Sequence, residues 1–330
     1  MPRLTRSHPL QLLALAGALL LAPAGAALAQ AQDYPKRPVR IVVPYPAGGY
    51  TDLLARQLGA GLQARLGQPF VIDNKPGAAT AIAAEFVAAS PPDGHTLLMT
   101  TVTTLALNPL TLKEMRYRVD QFQPVALVAR QPFMLVASHQ FAPNTPQELI
   151  AYAKANPGKI NWATQGLAGS SQLVGELLKS LTGIELTAIH YKGSAPANID
   201  IMGGRVDIHF DGVGTSLHNV ENKRVKAIGI TSEQRLAVAP QIPTFVESGV
   251  PGMVAYSWYG IVTPTGTPTA IIDKLNAEII RWAHEKEPAE RLIKDGSESS
   301  RMTPAEFGKM IADETETWRK VLAPLNLKLE

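Results

Sequence analysis

The chain has 330 residues, of which 45% are hydrophobic and 18% are charged, and its formal net charge is +3. This length is sufficient for two lobes of ordinary domain size, each with its own hydrophobic core. Because the sequence contains no cysteine, disulfide bonds, thiol catalysis and cysteine-ligated metals are excluded. The small net charge argues against nucleic acid as a partner.

The first residues have the pattern of a secretory signal peptide. Arg3 and Arg6 precede a mainly apolar stretch at 10–22, and Ala27-Leu28-Ala29 supplies the small residues before a cleavage site. We therefore expect residues 1–29 to be removed on export, which brings the net charge close to neutrality. The alternative is a membrane anchor, but the apolar stretch is short and no basic stop-transfer segment follows it.

From residue 37 onward, short β-branched runs alternate with amphipathic stretches. VRIVV (39–43) predicts a buried strand, and the leucines at 54, 58, 62 and 66 predict one apolar face of a helix. FVID (70–73), AIAAEFVAAS (81–90) and TLLMT (96–100) continue the alternation. This order predicts a parallel sheet with crossover helices.

A second series of strands and helices begins after FMLVAS (133–138) and continues to about Ile230. Its first helix is expected to begin at Thr145, because Thr145 and Glu148 have the spacing of a capping box. Strand-like INWAT, LTAIHY, VDIHF and VKAIGI segments then alternate with helix-like segments.

The C-terminal part begins with MVAYSWYGIVTP (253–264), which predicts a strand. Three amphipathic helices follow, near 268–284, 288–294 and 303–322, and Thr267 is the expected N-cap of the first. A second α/β series enclosed between a first series and a helical tail indicates that one lobe is inserted into another.

This arrangement predicts lobe boundaries and a hinge. Lobe 1 is expected to comprise residues 34–135 plus 254–330, and lobe 2 residues 136–253. The two chain crossings, near 132–138 and 253–261, would form the hinge, with a ligand between the lobes at the C-terminal ends of strands. Two separate tandem domains are the alternative.

The segment PYPAGGYTD (44–52) joins the first strand to the first helix through two glycines. Gly48 and Gly49 have no Cβ, so a ligand can approach their backbone amides closely. Thr51 and Asp52 fall at the helix start, where N–H groups lack intrahelical partners and can hold an anion. The alternative is a plain glycine turn capped by Thr51 or Asp52, and the charge of Asp52 opposes an anion.

Two segments of the second series repeat this order of strand end, glycine, serine and helix. Gly166 and Gly169 precede Ser170-Ser171, and Gly193-Ser194 follows HYK. Three such loops from two lobes can converge on one small polar ligand. We therefore predict an anion or carboxylate site between the lobes.

Several longer segments carry a family resemblance. YPKRPVRIVVPYPAGGYTDLLAR, VIDNKPGAA, HYKGSAPA, IPTFVESGVPG and WYGIVTPTGTP together resemble the Bug-type receptors of tripartite tricarboxylate transporters. The resemblance runs from about Tyr34 to the C-terminus. It implies an α/β, two-lobe periplasmic-binding-protein (Venus flytrap) fold, in which each lobe is a mainly parallel sheet flanked by helices and two crossing strands join the lobes.

The same resemblance implies the ligand, the partners and the location. The ligand would be a small organic acid, either an aliphatic di- or tricarboxylate or an aromatic carboxylate. The receptor would deliver it to the two membrane subunits of the transporter. We expect a monomer in the periplasm that binds no cofactor and no nucleic acid.

The resemblance also implies that backbone amides and bridging waters of the loop at 45–52 hold the ligand carboxylate. Segments 101–104, 166–171 and 191–194 would complete the pocket, and Gln172 departs from relatives that have histidine there. The candidate ligand-binding residues are Tyr45, Pro46, Ala47, Gly48, Gly49, Tyr50, Thr51, Asp52, Thr101, Thr104, Gln165, Gly166, Ser170, Ser171, Tyr191, Gly193, Ser194, Asp211 and Trp258.

Several single residues have a plainer interpretation beside the functional one. Trp258 lies in the returning strand, where core packing near the hinge is the alternative to a wall against the ligand. Lys192 is more simply a solvated loop lysine than a ligand partner. His190 and His209 are interpreted as hydrogen-bonded structural histidines, and because no histidine pair has metal-ligand spacing we expect no metal.

Two other classes of protein share part of this pattern. A serine hydrolase is disfavoured because no G-x-S-x-G motif is present, although Asp52 and Asp211 could in principle act as an acid/base pair. A sensory receptor that signals to a membrane kinase shares all of these features, and the sequence alone does not separate it from a transport receptor.

Overall fold

The computed structural model describes residues 33–165, 169–191 and 194–323. The strands are β1 (Val39–Val43), β2 (Phe70–Asn74), β3 (Thr96–Thr101), β4 (Phe122–Ala137), β5 (Asn161–Thr164), β6 (Thr187–His190), β7 (Ile208–Gly212), β8 (Lys226–Ile230), β9 (Tyr256–Pro264) and β10 (Glu298–Ser299). The helices are α1 (Tyr50–Leu66), α2 (Ala81–Ala88), α3 (Asn108–Thr111), α4 (Pro146–Ala155), α5 (Ser170–Thr182), α6 (Ser194–Met202), α7 (Val213–Glu221), α8 (Thr269–Ala283), α9 (Lys286–Lys294) and α10 (Pro304–Leu322). The predicted signal peptide, 1–29, lies outside the described residues. None of the helices in the described ranges is long and apolar enough to cross a membrane.

Within these ranges the ten strands form one sheet in the order β2-β1-β3-β9-β4-β7-β5-β6, and β8 and β10 also pair with β4. Strands β1, β2 and β3 are mutually parallel, as are β5, β6 and β7. Strands β3 and β4 are both antiparallel to β9, and β7 is antiparallel to β4. The two parallel sets therefore point their carboxyl ends toward each other, which confirms the predicted two-lobe α/β fold.

Strand β4 belongs to both halves of the sheet. Its first part, from Phe122 to Pro132, pairs with β9, and its second part, from Phe133 to Ala137, pairs with β7 and β8. We propose that the lobes meet at this change of partners. Lobe 1 then comprises 33–132 and 256–323, and lobe 2 comprises 133–255, a few residues from the predicted boundaries.

One buried threonine joins the two chain crossings. The Phe133 N–H donates to Thr231 Oγ1 at 2.9 Å, and the Thr231 hydroxyl donates to the Ala255 carbonyl at 2.6 Å. Thr231 is fully buried at the end of β8. Because its hydroxyl contacts both crossing segments, it fixes their spacing in the hinge.

The hydrophobic core follows the two-residue alternation of the strands. On one face of the sheet a single cluster runs through both lobes and includes Leu98 and Phe307 of lobe 1 and Trp162 of lobe 2. On the other face the two lobes have separate clusters, around Leu58 in lobe 1 and Ile201 in lobe 2. The lobes therefore share packing on one side of the sheet and not on the other.

The predicted helix starts have different outcomes. Thr145 Oγ1 accepts the Glu148 N–H at 3.2 Å, so the predicted cap of α4 is confirmed. The prediction that Thr267 caps α8 is wrong. The N-cap is Pro268, and the Thr267 hydroxyl donates to the Pro264 carbonyl at 2.8 Å, because the chain makes a turn before the helix begins.

Gly175 in α5 provides a test of the packing in lobe 2. A Cβ at this position would lie 2.1 Å from the indole of Trp162, which is fully buried. Because the enclosed ring has little room to move, we expect Gly175→Ala to lower the free energy of unfolding by roughly 1–3 kcal/mol, despite the better helix propensity of alanine. Urea denaturation followed by circular dichroism measures this change.

The matched control is Ser180→Ala, at an exposed position of the same helix. It is expected to leave the unfolding free energy unchanged or slightly raised, since alanine is the better helix former. Equal stabilities for the two variants would contradict the packing described for Gly175.

Candidate functional site

The buried carboxylate of Asp52 organises the loop between β1 and α1. Its Oδ2 accepts the Gly48 N–H at 2.9 Å and Arg56 Nε at 3.0 Å, and its Oδ1 accepts Asn74 Nδ2 at 2.9 Å. Gly48 has a φ of +89°, a conformation that favours glycine. Asp52 therefore faces the inside of its own loop.

The same donors stabilise the ionised form of Asp52. The hydrogen bond from the Arg56 side chain is the largest cause, and it holds the pKa of Asp52 at about 2, against the opposing effect of burial. Because donors of lobe 1 already bind both oxygens of Asp52, the carboxylate faces the interior of the protein.

The amides that follow Gly48 remain available. Among the described residues, the N–H groups of Gly49, Tyr50 and Thr51 have no hydrogen-bond acceptor, and Gly49 is the N-cap of α1. Residues 46–49 are exposed. These amides carry the partial positive charge of the helix N-terminus, which favours an anion.

Residues at the ends of β2 and β3 form hydrogen bonds with this loop. The Tyr45 hydroxyl hydrogen-bonds Thr101 Oγ1 at 3.1 Å, and Asn74 Nδ2 donates to the Tyr45 carbonyl at 3.0 Å. Thr104 is fully buried, and its hydroxyl donates to Thr80 Oγ1 at 3.0 Å. Thr101 therefore lies beside the ligand loop, whereas the side chain of Thr104 is buried and contacts Thr80 and not the loop.

In lobe 2, Asp211 has a role similar to that of Asp52. This buried carboxylate at the end of β7 accepts Gln165 Nε2 at 2.7 Å, the Ser194 hydroxyl at 2.5 Å, Asn198 Nδ2 at 2.9 Å and the Gly212 N–H at 2.8 Å. All four donors belong to lobe 2. Asp211 thus ties the ends of β5 and β7 to the start of α6.

The remaining candidates of lobe 2 lie around this carboxylate or outside the described residues. Ser171 is buried and accepts the Gln165 N–H at 2.8 Å, while Ser170, partly exposed, opens α5. The Tyr191 hydroxyl donates to Asp200 at 2.7 Å, and burial is the main cause that raises its pKa to about 12. Gly166 and Gly193 lie outside the described residues.

Tyr50 and Tyr259 pack together where α1 begins. Their ring centroids are 5.0 Å apart, and the Tyr50 hydroxyl hydrogen-bonds Ser297 Oγ at 2.6 Å. Tyr259 is the cross-strand partner of Thr101, so the two side chains lie on the same face of the sheet. The structure therefore places Tyr259, which is not among the predicted site residues, beside Tyr50 and Thr101.

Trp258 is a correction to the predicted set. Its Nε1 donates to Glu314 and its ring packs edge-on against Phe307, 5.6 Å away, on the opposite face of β9. The physical reason is the alternation of side chains along a strand, which places Trp258 and Tyr259 on opposite faces. The sequence shows that these neighbours lie on opposite faces, but only the register of β3 and β9 in the structure places Tyr259 beside Thr101.

Gln131, at the crossing of β4, was also missed. Its Nε2 donates to the Asp295 carbonyl and lies 3.5 Å from Ser297 Oγ, the partner of Tyr50. A Cβ on Gly212 would lie 2.6 Å from Gln131 Oε1, so lobe 2 approaches this side chain closely. Gln131 therefore connects the ligand loop with both lobes, and no local motif marks it in the sequence.

The two histidines that were weighed as ligands are engaged in lobe 2. His209 is fully buried with Nδ1 2.9 Å from the Ala163 carbonyl, and burial lowers its pKa. His190 Nδ1 lies 2.7 Å from Thr164 Oγ1. In the part of the chain that the structure describes, no three His, Asp or Glu side chains are placed to hold a metal ion.

Known proteins are similar to this chain in fold and in sequence. The profile of the TctC family, described as tripartite tricarboxylate transporter family receptors, matches residues 54–327. Protein BugT of Bordetella pertussis is 34% identical over 322 residues, which cover 97% of this chain and 99% of BugT. A solved structure of R. palustris Rpa4515 with adipate has a TM-score of 0.80 at 34% identity, covering 88% of this chain and 98% of that one.

A second solved structure, MatC from Rhodopseudomonas palustris with bound malate, has a TM-score of 0.76 at 33% identity, covering 88% of this chain and 100% of MatC. The two-lobe fold is that of a solute-binding protein. The chain belongs to the TctC family of tripartite tricarboxylate transporter receptors. It is a receptor and not an enzyme.

The buried Asp52 gives a prediction about stability and pH. Because its folded pKa is lower than that of the unfolded chain, ionised Asp52 stabilises the fold above about pH 4, and this contribution is lost as the pH falls through about 2. Asp52→Asn is expected to lower the unfolding free energy by about 1–2 kcal/mol at pH 7. Urea denaturation at pH 7, 4 and 2.5 measures the difference, which is expected to shrink toward low pH.

Asp313→Asn is the control, because Asp313 is an exposed carboxylate paired with Lys309 on α10. It is expected to change stability by less than about 1 kcal/mol at pH 7. A loss for Asp52→Asn that stays constant over this pH range would show that the charge of Asp52 does not stabilise the loop.

Proposed function

We propose that this protein is a periplasmic receptor that closes on a small aliphatic dicarboxylate held between its two lobes. The observation that carries the proposal is the row of amides from Gly49 to Thr51, which have no acceptor among the described residues. A carboxylate at this position gains charge-assisted hydrogen bonds and the favourable field of the α1 N-terminus.

The arrangement of the two aspartates supports an anionic guest. Asp52 pairs with Arg56 and accepts other donors of lobe 1, whereas Asp211 accepts hydrogen bonds from four neutral donors of lobe 2. The oxygens of both carboxylates are therefore hydrogen-bonded within the protein and do not require a donor from the ligand. Asp52 positions the loop that carries the amides from Gly49 to Thr51.

The second carboxylate of the ligand would reach lobe 2. The start of α5, with the partly exposed Ser170, supplies a second helix N-terminus there. Adipate in Rpa4515 and malate in MatC, the ligands that the two similar structures contain, are both dicarboxylates, which supports this ligand class.

The nearest arginine of the loop is already engaged, since Arg56 donates to Asp52. The proposed grip therefore consists of amides, hydroxyls and bridging water, which is weaker than a bidentate arginine clamp and allows release. This suits a receptor that passes its ligand to the membrane subunits of a tripartite transporter. Co-purification with those subunits, and not with a sensor kinase, is the test of that partner.

A ligand screen tests the proposed class. Protein refolded from denaturant, to remove any bound ligand, is mixed with adipate, malate, their monoamides and benzoate, and the Tm is followed. We expect the dicarboxylates to raise the Tm most, because a ligand at 100 times its Kd stabilises the fold by about 2.7 kcal/mol. The proposal fails if no carboxylate shifts the Tm or binds in isothermal titration calorimetry.

Gly49 tests the amide grip itself. Its φ is −78°, and a Cβ would meet only the Pro46 carbonyl, at 3.8 Å, so a larger residue fits the fold. A valine side chain would cover the exposed amides, and we expect Gly49→Val to weaken dicarboxylate binding at least about tenfold, the loss of roughly one hydrogen bond to a charged group. Calorimetry measures the Kd.

Gly203→Val is the matched control, at an exposed glycine after α6 in lobe 2, remote from the loop. It is expected to keep the wild-type Kd. Unfolding of each variant is measured in parallel, with a loss of at most about 1 kcal/mol expected for the N-cap change. Retained affinity in Gly49→Val would count against the grip even if dicarboxylates do bind.

A further inference from the structure

A cavity lies on the face of the sheet opposite the ligand loop. It has a volume of about 430 Å³ and is bounded by the crossing strands, by α10 of lobe 1 and by α5 of lobe 2. Its apolar walls include Trp258, Tyr256, Trp318, Met310 and Leu177. None of these residues contributes to the carboxylate site proposed above.

One carboxylate is set among the aromatic walls. Glu314 accepts the indole N–H of Trp258 at one oxygen and that of Trp318 at the other, the latter at 3.1 Å. No described residue places a cation within ion-pair distance of Glu314. The two indoles hold the carboxylate at the cavity wall and leave its charge unbalanced.

The other charged groups at the cavity are already paired. From β4, Arg130 forms an ion pair with Glu298 at 2.8 Å and lies 4.3 Å from the centre of the Tyr256 ring. On α10 itself, Lys309 pairs with Asp313, and Glu306 accepts from Thr303 in the helix cap. From α5 the lining residue is the apolar Leu177.

We propose that this cavity is a second binding site, specific for a small apolar or aromatic amine in its ammonium form. The ammonium group would pair with Glu314, whose carboxylate the two indole N–H groups hold at the cavity wall. The hydrocarbon part of the ligand would fill the space beside Met310 and Leu177. The site selects a charge opposite to that of the ligand in the inter-lobe site.

Ionisation of Glu314 links this binding to pH. Burial is the largest cause that raises the pKa of Glu314 to about 7. Two other ionisable groups at the cavity have pKa values shifted away from this range: burial raises the pKa of Tyr256, and hydrogen bonds from Thr303 lower the pKa of Glu306. The fraction of ionised Glu314, and with it the affinity for a cation, therefore rises about tenfold from pH 6 to pH 8.

The probe is 2-phenylethylammonium, which stays protonated over this range because its amine resembles that of lysine. Its neutral analogue 2-phenylethanol and the anion 3-phenylpropionate are compared with it. Calorimetry on the whole protein, with the fluorescence of the tryptophans as second readout, gives the Kd at pH 6, 7 and 8. We expect the ammonium to bind best, with a Kd about tenfold lower at pH 8 than at pH 6.

Two variants locate the site. Glu314→Gln keeps an oxygen acceptor for one indole and removes the charge, so we expect loss of the preference for the ammonium over the alcohol and loss of the pH dependence. Glu316→Gln removes an exposed charge that does not line the cavity, and it should bind as the wild type does. Unfolding curves establish that both variants are folded.

Three results would overturn the proposal. The first is that 2-phenylethylammonium shows no saturable binding to the wild-type protein. The second is that it binds equally well to the wild type and to Glu314→Gln. The third is that it competes with a dicarboxylate for one site. If Glu314→Gln is unstable, Trp318→Phe serves instead, since it preserves the carboxylate and removes one indole. It should weaken the ammonium severalfold and leave dicarboxylate binding unchanged.

Discussion

The site depends on two buried carboxylates that are each satisfied inside their own lobe. Asp52 accepts hydrogen bonds from the Gly48 amide, Arg56 and Asn74. These bonds hold the loop in a shape in which Gly48 has a positive φ and the next amides point outward. In lobe 2, Asp211 accepts hydrogen bonds from the loops of its own lobe in the same way. Because a buried charge is costly unless it is fully hydrogen-bonded, each aspartate fixes the shape of its loops.

The shared sheet determines how these two sets of loops meet. Strand β4 continues from lobe 1 into lobe 2, and Thr231 joins it to the second crossing. On one face of the sheet the core is continuous through both lobes, whereas on the other face it is divided. Movement of the lobes must therefore preserve the packing of the continuous face. Gln131, with contacts to Asp295 and Ser297, lies where such movement would be transmitted to Tyr50.

The sequence was informative wherever the structure follows from local pattern. Alternating strands and amphipathic helices predicted the α/β lobes, and the capping box predicted the start of α4. Contacts between distant segments were not predictable. The direction of Asp52 depends on Asn74 across the sheet, and Tyr50 contacts Ser297, which is far away in the chain. Alternation also places Trp258 and Tyr259 on opposite faces of β9 without indicating which face carries the site.

The central claim is that free amides at the start of α1 hold the ligand carboxylate. Its most direct test is an NMR titration of the ¹⁵N-labelled protein with a dicarboxylate. The account predicts that the amide protons of Gly49, Tyr50 and Thr51 move downfield in step with saturation, whereas the Gly48 amide, already bonded to Asp52, changes much less. Unchanged Gly49, Tyr50 and Thr51 resonances at saturation, with the largest shifts elsewhere, would contradict it.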